Sequence, residues 1–184
     1  MQLNEDDFED VLESARSLLS ADDEADLWEA SELVNRALSL RPDDREAWML
    51  KAQVLSALED DHAAFAAIEM AVSRAPECAE AHYWRAAILC DLSRPKEALR
   101  AVDRAFRELT PDDDWLVEDL YCEKATTLET LGRTDDAIAS YREGLSRFPG
   151  STLLSLGLAP LQKQSLRASL RVIDGGLQPI RRPR

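Results

Sequence analysis

Two histidines, three cysteines and a surplus of carboxylates are the residues of this chain that could do chemistry. His62 follows the run Glu59-Asp60-Asp61, a grouping that could hold a cation weakly, but acids adjacent along a polar turn read as a solvated turn. Cys78, Cys90 and Cys122 are odd in number and lack CxxC spacing, which fits reduced thiols better than a disulfide frame or a zinc site. Arg100, Arg104 and Arg107 form a ladder flanked by Asp103 and Glu108, and a solvated helix face explains it better than a phosphate site. GxGxxG, GxxxxGK[ST], HExxH and GxSxG patterns do not occur. With no paired acid and base groups, the chain is expected to have no catalytic residues, no cofactor and no metal.

The elements that would position any site must therefore come from composition and pattern. The chain has 184 residues, 45% hydrophobic and 32% charged, which suits one soluble domain and excludes wholesale disorder. Acids outnumber bases 36 to 22, and a net charge of -14 repels phosphate backbones, so nucleic acid is not the expected partner and a basic ligand is. The acidic start, Met1-Gln-Leu-Asn-Glu-Asp-Asp-Phe8, lacks the basic and apolar runs of a secretory signal. The most apolar stretch, 153–161, is broken by Ser155, Gly157 and Pro160 and is too short for a membrane span. The expectation is a soluble cytoplasmic protein without membrane contact. Charge is unevenly placed: residues 150–184 hold six bases and one acid, leaving -19 on residues 1–149.

A repeat of 34 residues runs through the sequence. Ala30, Ala64 and Ala98 are 34 apart, as are Ala37, Ala71 and Ala105, and as are Pro42 and Pro76; Ala137 and Pro149 mark a fourth copy. With proline as position 32, the copies fall at 11–44, 45–78, 79–112 and 118–151, with five residues inserted before the last. Each copy reads as two helices. In the second, Trp48, Ala52, Leu55 and Leu58 share one face, and Ala64, Ile68 and Ala71 share another. Small alanines let two helices approach closely, and the proline stops the second helix. Ser93 before Pro95, and Thr134 before Asp135-Asp136, read as helix starts.

These residues resemble the tetratricopeptide repeat family, whose pattern has a large aromatic at position 4, small residues at 8, 20 and 27, and proline at 32. Position 4 here is Ser14, Trp48, His82 and Tyr121; position 8 is Leu18, Ala52, Ala86 and Ala125; position 27 is Ala37, Ala71, Ala105 and Gly144. Copy one departs at Ser14 and Leu18, and copy three has Thr110 at position 32 with Pro111 after it. The resemblance makes His82 a packing residue. It implies an all-α fold, an α-solenoid of about four helix pairs, with first helices lining a concave groove and second helices forming the back. Residues 1–10 then read as an N-terminal extension, 152–176 as a C-terminal capping helix and 177–184 as a basic mobile tail. Within the cap, Leu161, Leu166, Leu170 and Ile173 oppose Lys163, Arg167 and Arg171, and Gly175-Gly176 ends it.

In that family, positions 2, 5, 9, 12 and 13 face the groove. Seven of these twenty residues are acids (Asp22, Asp23, Glu46, Glu80, Asp91, Asp119 and Glu129) and none is a base. Met49, Gln53, Tyr83, Cys122 and Thr126 complete the candidate partner-binding set. The insertion Pro111-Asp-Asp-Asp-Trp115 is expected to extend the fourth copy's first helix by more than a turn, carrying Trp115 into line with Asp119 and Cys122. Trp115 is either a binding anchor or a packing residue against copy three. The lysine, asparagine and arginine clamp by which some relatives grip chaperone carboxylates is missing: the matching positions hold Ala15, Leu19, Leu50, Glu80 and Trp84, or, one copy later, Met49, Gln53, Trp84, Asp119 and Glu123. The expected function is a non-enzymatic scaffold or adaptor that binds a basic or amphipathic segment of a partner protein. The alternative is a structural subunit that forms homo-oligomers by repeat stacking or tail docking.

Overall fold

The computed structural model describes residues 5–20 and 23–169, and among these it contains helices and no strand. The α-helices are α1 Glu5–Leu19, α2 Glu24–Leu40, α3 Arg45–Ala57, α4 Asp61–Arg74, α5 Ala79–Asp91, α6 Pro95–Glu108, α7 Val117–Thr130, α8 Thr134–Arg147 and α9 Thr152–Ser169. A 3-10 helix, Pro111–Leu116, leads into α7. Consecutive helices pack as antiparallel pairs, and each pair packs on the next. The first helices α1, α3, α5, α7 and α9 also touch one another in succession, whereas among the described residues the second helices α2, α4, α6 and α8 do not. Elements in contact on one side and splayed on the other curve the array, with the first helices on the concave face.

The seams are built from small residues. Ala52, Ala64, Ala71, Ala86, Ala98, Ala105, Ala125 and Ala137 are all fully buried, so the backbones of paired helices approach without a side chain between them. Position 27 of the last pair is Gly144, where a Cβ would lie 2.8 Å from Leu154 Cδ1 and 2.9 Å from Tyr121 Cβ. In α9, a Cβ on Gly157 would come within 2.5 Å of the Tyr141 ring. Glycine is required at both places because a bulky side chain of a neighbouring helix occupies the space a Cβ would need.

Turns within pairs share one design. Glu59, Ser93 and Gly132, each at repeat position 15, have φ of 61°, 57° and 71°. In each, the residue at positive φ donates its N–H two helical residues back beyond the cap, and the next residue donates to the third, as in Asp60 N to Leu55 O at 2.9 Å and Arg94 N to Leu89 O at 2.8 Å. This is the Schellman closure of a helix C-terminus. Ser93 therefore follows the end of α5 rather than starting α6, which is preceded by Arg94 at its N-cap; α8 does start at Thr134, with Arg133 at its N-cap. Asp44 and Asp60 do act as side-chain N-caps, accepting from Ala47 N and Ala63 N at 2.9 and 3.1 Å.

In the second and third pairs, position 4 ties the pair to the loop before it. Trp48 Nε1 donates to Pro42 O at 2.8 Å, and 34 residues on, His82 Nε2 stands 2.8 Å from Pro76 O. Ser14 at this position is exposed because no earlier pair packs on it among the described residues. Trp48 is half-buried and belongs to two apolar clusters, with the Arg74 guanidinium 5.4 Å from its ring centre.

Two expectations are corrected, and the cap is seen in part. Residues 5–10 are helix rather than an extension: α1 begins at Glu5, and Phe8 is 2% exposed in line with Val11, Leu12 and Ala15, under the Arg41 guanidinium at 4.0 Å. The insertion forms 3-10 helix instead of more α-helix, closed by Asp113 accepting from Thr110 N and Oγ1 at 2.8 and 2.7 Å. The cap α9 begins at Thr152 and contains Pro160, with Leu154, Leu158 and Leu161 buried. Leu170, Ile173, Gly175, Gly176 and the 177–184 tail, like Asp22, lie outside the described residues, as does the side chain of Leu166.

Three measurements check this framework. Trp48→Ala removes a half-buried wedge and its hydrogen bond, and should cost about 3 kcal/mol in urea unfolding. Glu59→Gly relieves a left-handed non-glycine residue and should raise stability by about 1 kcal/mol. His82 is 6% exposed with Nδ1 lacking a partner; burial, with Arg104 and Arg85 nearby and against the Pro76 and Glu108 contributions, holds its pKa below the ordinary 6.5. The unfolded chain then takes up the proton first, so stability should fall as pH drops below about 6.5, and His82→Gln should flatten that dependence.

Candidate binding groove

The first helices present one long face, and two of their basic residues, Arg85 and Lys124, are held by the second helices instead. Arg85 of α5 pairs with Glu69 of α4, and Lys124 of α7 reaches Asp103 of α6 at 3.5 Å. Both bases occupy repeat position 7 and both acids position 25, so each helix-back acid holds the base of the next pair. What remains toward the concave side is acidic, apart from Arg16 at the N-terminal end.

At the N-terminal end, Glu46, Met49, Gln53 and Glu80 meet in a recess of about 340 Å³, completed by Arg16, Leu19 and Leu50. Arg16 Nη2 lies 2.9 Å from Glu46 Oε2. The concave side thus has a base after all, at position 6, where the five-position pattern does not look. Met49 is buried and forms the apolar floor. Glu80 Oε1 accepts from Trp84 Nε1 at 3.3 Å, and Trp84 meets Tyr83 edge to face at 5.3 Å between ring centres.

The second part of the groove lies between α5 and α7. Tyr83, Asp91, Asp119 and Cys122 gather around Glu123, another position-6 residue missed by the sequence pattern. Glu123 Oε1 accepts from Cys90 Sγ at 3.3 Å and Thr127 Oγ1 at 3.4 Å. Desolvation raises the carboxyl pKa of Glu123, Asp91 and Asp119, with a smaller push from neighbouring acids. Burial, reinforced by these acids, lifts Tyr83 to about 12 and Cys122 to about 11. Cys90 rises to about 11 chiefly through burial, so both thiols are protonated at neutral pH and poor nucleophiles. Glu129 accepts from Tyr141 Oη at 3.0 Å, and Thr126 is exposed beside it. Glu80, Asp91, Asp119, Glu123 and Glu129 form no ion pair among the described residues.

Trp115 is 60% exposed on the 3-10 helix, while its neighbour Leu116 fills the core against α5 and α6. The packing role expected for the tryptophan belongs to the leucine, because 3.0 residues per turn rotates Trp115 off the helix stripe. Beyond α7 the face continues onto α9, where Leu153 and Leu156, 34 residues after Asp119 and Cys122, are 45% and 69% exposed. A further apolar residue that no pattern announced, Trp28 of α2, is exposed beside Leu27 and Leu58 on the outer edge. Among the described residues no three His, Cys, Asp or Glu side chains are placed to hold a metal ion, and no helix is long and apolar enough to cross a membrane.

Comparison with known proteins bears on this arrangement. Residues 57–114 and 118–160 each match a tetratricopeptide repeat model. The human Protein O-mannosyl-transferase TMTC1 is 27% identical over 134 residues, covering 73% of this chain and only 15% of that protein's length. Among solved structures, PilW, a type IV pilus biogenesis factor, superposes with a TM-score of 0.78 at 20% identity over 91% of this chain and 73% of its own. YrrB, a TPR protein with an unusual peptide-binding site, gives 0.64 at 20% identity over 89% and 80%. The 34-residue helix pairs, the alanine seams and these matches agree: the chain belongs to the tetratricopeptide repeat family and is built as a protein-interaction module.

Proposed function

We propose that the concave face of α3, α5, α7 and α9 holds a basic or amphipathic segment of a partner protein, and that the chain acts as a non-enzymatic scaffold or adaptor. The carrying observation is the set of carboxyls Glu80, Asp91, Asp119 and Glu123, without ion pairs among the described residues, the last three partly desolvated near Tyr83 and Cys122. A lysine or arginine entering there replaces lost hydration, and its apolar neighbours meet Met49 at one end and Leu156 at the other. YrrB's peptide-binding site supports a peptide as ligand. All three cysteines are free thiols, which supports a reducing, cytoplasmic setting. The O-mannosyl transfer named for TMTC1 is not assigned to this chain, which matches a small part of that protein.

Self-association is the second reading. It rests on α9, a first helix that exposes Leu153 and Leu156. Sedimentation showing a concentration-dependent mass, lost on Leu156→Glu, would favour it.

The test of the groove uses a 12-residue amphipathic peptide of arginine and leucine and its glutamate and leucine counterpart. The arginine peptide should bind with an affinity that falls as salt rises, and the glutamate peptide should not bind. Glu80→Lys with Asp119→Lys should weaken binding about tenfold, while Glu32→Lys on the outer face of α2 should leave it unchanged. Because burial makes folded Asp91, Asp119 and Glu123 take up protons at higher pH than ordinary carboxyls, affinity should decline on acidification before ordinary carboxylates titrate, and Asp119→Asn should shrink that decline. Equal losses from inner and outer reversals would leave only net charge as the cause.

A further inference from the structure

We infer that the groove has an occupant within the chain itself: residues 174–184, whose Arg181, Arg182 and Arg184 lie against the carboxyls of α7 and α5 and compete with the partner. This rests on the groove reading above. The first support is complementarity. The segment Asp174-Gly-Gly-Leu-Gln-Pro-Ile-Arg-Arg-Pro-Arg184 has three arginines and no acid after its first residue, and two apolar side chains, Leu177 and Ile180. The groove offers the matching halves side by side: Asp91, Asp119 and Glu123 without ion pairs among the described residues, and Leu153 and Leu156 exposed on α9.

Reach is the second support. α9 runs to Ser169 in line with α7 and α5, and neighbouring packed helices are about 10 Å apart, so α7 is one such step away and α5 two. The 12 residues from Ser169 to Arg181 span up to about 40 Å when extended, enough for both steps. Glu129, in the last turn of α7, and Asp91, the last residue of α5, are the acids met first from that edge. Gly175-Gly176 lets the chain reverse direction there. Tethering supplies an effective concentration on the order of millimolar, so a segment of weak intrinsic affinity still fills the groove.

The experiment uses the full-length chain and a variant carrying Arg181→Glu, Arg182→Glu and Arg184→Glu, with the free peptide Leu177–Arg184 as probe in calorimetry at low salt. The peptide should bind the variant, and bind the unaltered chain about tenfold more weakly, because there its site is filled. Adding Asp119→Lys to the variant should abolish peptide binding without changing the thermal midpoint by more than a few degrees. Equal binding to both chains, or none to the variant, overturns the inference, as does a dimer in the unaltered chain that the arginine substitutions dissolve, since docking is then between copies. If the arginine and leucine peptide binds while Leu177–Arg184 does not, this inference fails and the groove reading stands. If neither binds, the groove reading itself fails.

Discussion

Close backbone approach at the alanine seams is the constraint on which the rest of this structure depends. With Ala52, Ala64 and Ala71 fully buried, α3 and α4 meet along a line where no long side chain intervenes, and the same positions repeat in the next two pairs. A pair packed that tightly has one apolar side left over, and only the next pair can cover it. Larger residues are then confined to the joints between pairs, where Trp48 and His82 reach the preceding proline carbonyl. Curvature follows, and with it the groove.

Electrostatics is sorted by that geometry. A base at position 7 sits where the helix-back acid of the preceding pair can reach it, as in Arg85 with Glu69 and Lys124 with Asp103. Of the acids at positions 2 and 13, Glu46 is met by Arg16, while Glu80, Asp91 and Asp119 have no ion-pair counterpart among the described residues. The chain's acid excess therefore gathers on a concave side where carboxyls are held partly out of water and without ion-pair partners among the described residues. That concentration of like charge destabilises the empty groove slightly, and any cation that enters relieves it.

Much of this was legible in the sequence because a 34-residue period is a physical statement about helix pairs. The alanines at 64, 98 and 137 announced the seams, and Trp48 and His82 announced the joints. Local backbone chemistry was less legible. Glu59 and Ser93 adopt a left-handed turn that glycine would announce, so only Gly132 carried the signal, and Ser93 looked like a helix start. The 3-10 helix was hidden because three aspartates after a proline suit an α-helix start equally well. Arg16, Trp84 and Glu123 at position 6 were missed through the choice of stripe; each is four residues from a position-2 residue, a spacing the Glu80 to Trp84 hydrogen bond makes plain. The N-terminal limit of α1 could have been found from Phe8, one turn before Val11 and Leu12.

Contacts between successive first helices, together with the lack of any between the described second helices, give the array the mechanics of a coiled strip hinged along its inner rim. Bending it changes many inter-pair joints by a little and breaks none of them, so the inner rim can widen or narrow at small elastic cost. Such a strip adjusts its bore to the girth of whatever lies along it. Tightness around a slender chain and looseness around a helix are then two settings of one spring, and no separate lid is needed to move between them.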